Sequence, residues 1–270
     1  MSDTKILFTD MDGTLLKDDA TISDNTRKVI YDMTAAGHKF VLSSGRSLPN
    51  IIKTKNDLGL NMPGIYISAS NGTIIYECDT DSVIFESRLY MEDLKNVWPM
   101  ALEQNIHIQT YSDTELLAVS RDKEVDFYMI KCPLPLIKTN EPWNELKKPP
   151  VKMLCIDLEN HDKLAAFGDL VAKTYPHLTT CFSSQTYLEI FSNKAGKGKS
   201  LEWLCDYLNI PIKNSYAAGD EFNDVSMLQA AGTGIAMCNG NPKIFEFADV
   251  ISEFDNNSEG LSQYIVNEIL

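Results

Sequence analysis

The 270-residue chain carries 24 basic against 38 acidic residues, a net charge of −14, and is 44% hydrophobic. That balance argues against a nucleic-acid partner, which needs a basic footprint, and the apolar share argues against a disordered chain. No apolar run approaches the roughly 18 residues of a membrane span, and residues 1–4 are polar and lead straight into a strand, so neither a membrane segment nor a secretory leader is expected. The six cysteines (78, 132, 155, 181, 205 and 238) form no C-x-x-C pair and read as reduced thiols of a cytoplasmic protein. The length suits two modest domains or one large one.

Ile6-Leu7-Phe8 is a short apolar run that predicts a strand buried on both faces, as in a parallel sheet. It runs into two acids, Asp10 and Asp12. In open α/β sheets, ligands bind in the crevice beyond the carboxyl ends of the strands. Two carboxylates left there repel each other and resist desolvation unless a cation sits between them. Oxygen ligands favour a hard divalent ion, most simply Mg²⁺. Ser23 is placed to cap a helix with Val29, Ile30 and Met33 on one face, closed by Gly37. Lys39-Phe40-Val41-Leu42 is a second strand and ends in Ser43-Ser44-Gly45-Arg46. Strand, helix and strand within about 40 residues make a βαβ unit with parallel neighbouring strands. Ser44 and Gly45 are therefore expected to face the crevice that holds Asp10.

A helix over 48–58 and a strand over 65–68 follow, and Asn71-Gly72 reads as a tight hairpin into a strand over 73–76. From about 85 to 188 the texture changes. Helical pieces (91–104, 162–175) alternate with strand-like ones (116–119, 151–157, 179–182), broken at Lys147-Lys148-Pro149-Pro150. This predicts a domain of residues 1–84 and 189–270, interrupted by an inserted module of 85–188. The first texture then resumes with a helix over 199–208 and a strand over 215–218 that again ends in acid, Gly219-Asp220-Glu221-Phe222-Asn223-Asp224. A helix over 225–231 and short strands at 234–237 and 250–251 close the chain. The expected fold class is α/β, a Rossmann-like parallel-sheet core with an inserted α+β domain.

Four features fall at strand ends or helix entries of the first texture: Asp10 with Asp12, Ser44-Gly45, Lys197, and Asp220 with Asn223 and Asp224. Each meets a need of phosphoryl transfer. An ionised Asp can act as nucleophile, and a second acid can protonate the leaving group and then activate water. A lysine and a hydroxyl can hold phosphoryl oxygens, and a third acid can complete a metal site.

Asp10-Met11-Asp12-Gly13-Thr14 resembles the D-x-D-G-T signature of the haloacid dehalogenase-like (HAD) phosphohydrolases. Ser44-Gly45-Arg46, Lys197-Gly198 and Gly219-Asp220-Glu221-Phe222-Asn223-Asp224 resemble the later motifs, in order. Gly234-Ile235-Ala236-Met237-Cys238-Asn239 is similar to a run of the Cof-type branch, with Cys238 where Gly is usual. The insertion falls between the second and third motifs, where that branch carries an α/β cap (type IIB-like). The resemblance implies that Asp10 is the nucleophile and a metal ligand. It implies that Asp12 is the general acid/base, its main-chain carbonyl also facing Mg²⁺. By the same likeness Met11, Ser44, Gly45, Lys197 and Asn223 bind phosphate, Asp220 ligates the metal, and Asp224 stands behind them as support.

Other readings compete. Arg46 is either a structural ion-pair partner or a ligand contact. Glu221 is either a solvated charge or part of the site. Gly198-Lys199-Ser200 resembles the end of a Walker A loop, but the required glycine is Asn193 here, so an ATP-binding loop is not expected. His161-Asp162 reads as a surface pair. Tyr111, Phe127, Tyr128, Trp143 and Tyr187 either pack the inserted module or line a substrate pocket. The function that fits is Mg²⁺-dependent hydrolysis of small phosphorylated metabolites, sugar or cofactor phosphates, through an aspartyl phosphate. The inserted module is expected to close over the crevice and select the substrate. A phosphomutase on the same scaffold is the alternative. A phospho-Asp signalling receiver is less consistent, because Asp12 and a roughly hundred-residue insertion have no use there. Substrate, oligomeric state and pathway are not encoded in any motif.

Overall fold

The computed structural model describes residues 4–270, apart from the side chain of Lys131; the polar start at 1–3 lies outside the described residues. In chain order the strands are β1 (Ile6–Thr9), β2 (Lys39–Ser43), β3 (Ile65–Ala69), β4 (Ile74–Glu77), β5 (Ser82–Glu86), β6 (His107–Tyr111) and β7 (Leu116–Ala118). There follow β8 (Leu136–Lys138), β9 (Lys152–Ile156), β10 (Leu178–Ser184), β11 (Tyr187–Ser192), β12 (Ser215–Gly219), β13 (Thr233–Ala236) and β14 (Val250–Ile251). The α-helices are α1 (Asp24–Ala35), α2 (Leu48–Asp57), α3 (Met91–Glu103), α4 (Lys123–Lys131), α5 (Pro142–Glu145), α6 (His161–Thr174), α7 (Lys197–Tyr207), α8 (Val225–Ala230) and α9 (Gly260–Tyr264). The chain divides into two compact units, one running to Phe85 and resuming at Gly196, the other Glu86–Ala195.

The first unit is built on a sheet ordered β14-β13-β12-β1-β2-β3-β4-β5 among the described residues. Its strands from β14 to β3 run parallel, with β1 near the middle, and β4 turns back antiparallel. Side chains of a strand alternate between faces, and here both faces are dry. Leu7 packs with Val29, Ile30 and Met33 of α1, while Ile6 and Phe8 pack with Leu201 and Leu204 of α7 on the other side. Ser23 caps α1 as expected, its side chain accepting from the Thr26 N–H. The register sets Thr9 level with Leu42 and Ala218. Asp10, Ser44 and Asp220 therefore leave three strands at the same carboxyl edge.

The second unit carries a sheet ordered β10-β11-β9-β6-β7-β8. It is antiparallel except for the β7–β8 pair. Met153 and Cys155 of β9 face α3 and α6, packing with Trp98 and Phe167, while Leu154 and Ile156 face the cluster of Tyr111, Val125 and Tyr128.

Several sequence-based expectations shift. Residues 189–192 belong to β11, which pairs with β9 and β10, so the second crossing falls at Ala195 and not at 188. The alternation of Leu188 and Ile190 toward α3 and α6 demands it. β6 was not expected because Gln109 and Thr110, polar and fully buried, break its apolar pattern. Helix α7 begins at Lys197, not at 199. Of the five aromatics, Tyr111, Tyr128 and Tyr187 pack against one another, Trp143 packs on the α3–α6 side, and Phe127 is exposed. No helix among the described residues is long and apolar enough to cross a membrane.

Candidate active site

The loop after β1 is tied down before it turns. The Asp10 N–H donates to the Ala218 carbonyl at 2.9 Å, so Asp10 is held between β1 and β12. Gly13 then takes φ +77°, and a Cβ there would lie 2.5 Å from Asp220 Oδ2. Only glycine permits both the backbone angle and that approach. Thr14 Oγ1 donates to Asp220 Oδ1 at 2.7 Å. The D-x-D-G-T stretch thus wraps the acid that follows β12.

Lys197, 1% exposed, enters from the first turn of α7. Its Nζ donates to Asp10 Oδ1 and to Asp224 Oδ1, both at 2.5 Å. Asp10, Asp220 and Asp224 bring carboxylate oxygens within 4.8 Å of one another. One ammonium against three carboxylates leaves an excess of negative charge in a buried place. Burial raises Asp10 well above the usual carboxylate range; Lys197 opposes this, and Asp224 and Asp220 add to it. Asp220 is pushed up to about 7 by burial and then by Asp224. Burial works against the charge of Lys197, yet Asp10 and Asp224 outweigh it and its pKa is raised.

That excess fits a hard divalent cation. Asp224 has both oxygens engaged: Oδ1 by Lys197, Oδ2 by the N–H groups of Asp220 and Glu221 at 3.0 and 3.1 Å. Lys197 takes only Oδ1 of Asp10. Asp10 and Asp220 are thus the acids able to turn an oxygen to a metal, with Asp224 bracing the lysine and the loop.

The remaining candidates fall in a second group at the same edge. The carboxylate of Asp12 is gripped by the Arg46 fork, Nε to Oδ2 at 3.0 Å and Nη2 to Oδ1 at 2.6 Å. Of the two readings of Arg46, the structure realises the ion pair. Ser44 is 4% exposed; its N–H donates to the Ser68 carbonyl, and its Oγ accepts from the Arg46 N–H. Gly45 lies in the loop between them. Met11 buries its side chain in the apolar core, so only its main chain is left for a ligand. Glu221 accepts from the Phe222 N–H through Oε2. Asn223 Nδ2 donates at 3.3 Å to Oδ1 of Asn71, a residue read from sequence only as a turn former. An Asn at the end of the neighbouring strand β3 was the available signal for Asn71. Lys199 is exposed, away from the role a Walker loop needs.

In the second unit His107, Asp122 and Glu124 also gather. Asp122 caps α4 by accepting from the Val125 N–H and pairs with His107 Nδ1 at 2.8 Å, a structural arrangement complete in itself.

The haloacid dehalogenase-like hydrolase family model matches residues 7–265. The chain belongs to the haloacid dehalogenase-like hydrolases. Within them it is a phosphatase of the Cof-type branch. It is 28% identical over 272 residues to YxeH of Bacillus subtilis, covering 98% of each chain. To the 5-amino-6-(5-phospho-D-ribitylamino)uracil phosphatase YcsE of the same organism it is 26% identical over 268 residues, covering 99% of this chain and 97% of the other. A haloacid dehalogenase-like hydrolase from Bacteroides thetaiotaomicron superposes with a TM-score of 0.85 at 25% identity, covering 97% and 98% of the two chains.

Proposed function

We propose that this phosphatase is a Mg²⁺-dependent phosphomonoester hydrolase acting on small phosphorylated metabolites, sugar or cofactor phosphates, through an aspartyl phosphate on Asp10. The observation that carries the reading is the buried set of Asp10, Asp220 and Asp224 on one ammonium, Lys197, at the carboxyl edge of a parallel sheet. Mg²⁺, held by Asp10, Asp220 and the main-chain carbonyl of Asp12, supplies the positive charge that lets an anionic phosphate approach an anionic nucleophile.

A carboxylate oxygen of Asp10 attacks phosphorus as the ester P–O bond breaks, and Asp12 gives a proton to the departing alkoxide. Asp12, now ionised, takes a proton from water. The water oxygen attacks phosphorus, the acyl-phosphate P–O bond breaks, and inorganic phosphate leaves with Asp10 restored. Both Asp12 oxygens accept from the Arg46 fork, so one of them has to leave that fork for Asp12 to carry the proton. Lys197, Ser44 and Asn223, with the main chain at Met11 and Gly45, hold the phosphoryl oxygens. Substrate choice is assigned to the second unit, the insertion between the second and third motifs. The relative that dephosphorylates a ribitylaminouracil phosphate supports a small soluble substrate. Six free thiols support a cytoplasmic setting.

Phosphate release from p-nitrophenyl phosphate and a panel of sugar and cofactor phosphates tests the proposal, measured with Mg²⁺, with EDTA and with Asp10→Asn. Metal-dependent release, lost in Asp10→Asn, is expected. Wild-type turnover by Asp10→Asn overturns the covalent route, and transfer of phosphate to a second sugar in place of water moves the reading to a mutase.

A further inference from the structure

Between β3 and β4 the chain passes through Ser70, Asn71 and Gly72 with φ of 51°, 56° and 84°. Two successive non-glycine residues in the left-handed region are strained and persist only where the surroundings hold them. Here the clamps are visible. The Ser70 N–H donates to the Arg46 carbonyl at 2.9 Å and the Asn71 N–H to the Ser44 carbonyl at 3.0 Å. On the other side, a Cβ on Gly72 would lie 2.3 Å from the Gly196 carbonyl oxygen, next to Lys197. The turn is thus held between the loop of Ser44 and the start of α7.

The side chain presented by this turn is Asn71, 1% exposed. Its Oδ1 accepts from Asn223, while its Nδ2 is buried and finds no acceptor among the described residues. A buried donor without an acceptor is destabilising, and a strained turn that holds it there compounds the penalty. Asn71 is bonded to both Ser44, through its N–H, and Asn223, through Oδ1, two residues assigned above to the phosphate. An amide is also a suitable donor for this place, since it binds an anion without adding a charge that would compete with Lys197 for the acids.

We propose that Asn71 is a phosphoryl-binding residue of this site, its Nδ2 donating to a non-bridging phosphate oxygen while Oδ1 orients Asn223. This rests on the hydrolase reading. Strain accepted in the unliganded protein then serves the bound state, where the donor acquires its acceptor.

The test uses the full chain with Mg²⁺, and orthovanadate and inorganic phosphate as probes. Inhibition constants are measured against p-nitrophenyl phosphate, and melting temperatures with and without probe. Asn71→Ala is expected to weaken vanadate and phosphate by about tenfold, the loss of one buried hydrogen bond. Asn71→Asp, which keeps the tolerance for positive φ but turns a carboxylate toward the anion, is expected to weaken them further. Asn71→Gly relieves the backbone and secures folding; it is expected to match Asn71→Ala in affinity. The unliganded melting temperature is expected to stay level or rise in the Gly variant, with a smaller upward shift on adding vanadate. Wild-type inhibition constants in Asn71→Ala and Asn71→Asp, or a loss confined to the unliganded melting temperature, overturn the proposal while leaving the hydrolase reading intact. A wild-type protein that neither releases phosphate nor binds either probe overturns both.

Discussion

Replacing Asp220 by asparagine removes the carboxyl group that burial and Asp224 push up to about 7, and the consequence is readable in the metal-free protein. A carboxyl whose folded pKa lies above its unfolded value binds protons more tightly when folded. Its contribution to stability is therefore complete below the unfolded value of 3.8 and is lost as pH rises through about 7. At 1.36 kcal/mol per unit, the part of that shift titrating between pH 5 and 8 amounts to about 3 kcal/mol. At this chain length it corresponds to roughly 5–12 °C in melting temperature. The assay is a thermal melt in EDTA at pH 5, 6, 7 and 8 for the wild type and Asp220→Asn. The wild type is expected to lose stability across that range by about 3 kcal/mol more than the variant. Asp10, raised in the same direction, keeps a residual fall in both. With millimolar Mg²⁺ the wild-type curve is expected to flatten or reverse, because the ion binds the ionised carboxylates and releases their protons. Parallel curves for the two proteins in EDTA would refute the argument that uncompensated charge at Asp220 prepares this site for a cation.

Asp12→Ala is expected to lower turnover of alkyl phosphates by about 10²–10⁴-fold, the usual range for a lost acid/base, and to leave phosphate on Asp10 detectable by acid quench. Initial labelling from p-nitrophenyl phosphate should suffer less, because nitrophenolate departs without a proton. Gly13→Ala forces a methyl against Asp220 at positive φ; Mg²⁺ affinity, followed by titration calorimetry, is expected to fall by about tenfold or more with a stability loss of about 1–3 kcal/mol. In the second unit Lys152 and Glu189 are each 2% exposed and meet at 2.7 Å. Lys152→Met alone is expected to cost about 3–5 kcal/mol by leaving Glu189 buried and unpaired. Adding Glu189→Leu is expected to recover most of it in urea melts, and a double variant as unstable as the single one would contradict that account.

The residues themselves determine the strands that end in acid. Ile6-Leu7-Phe8 is apolar on every position because both faces of β1 are covered, and such a run can end only by meeting polar residues at the sheet edge. The βαβ rule then orders Asp10 and Ser44 on one edge without any coordinates. Local chemistry also accounts for the Ser23 cap and the Gly13 turn. Tertiary structure decides what no local pattern encodes. β11 carries the buried Glu189, whose partner Lys152 comes from the neighbouring strand β9, and β6 buries Gln109, bonded to Tyr111 two residues along the same strand, so hydropathy alone misplaces both. The partners of the acids are likewise decided by contacts between distant segments: Arg46 takes Asp12, Lys197 takes Asp10 and Asp224, and Thr14 takes Asp220. Asn71 shows the difference most clearly. In sequence it is half of an Asn-Gly turn, and only the packing of that turn between Ser44 and Gly196 makes its amide a buried, unmatched donor.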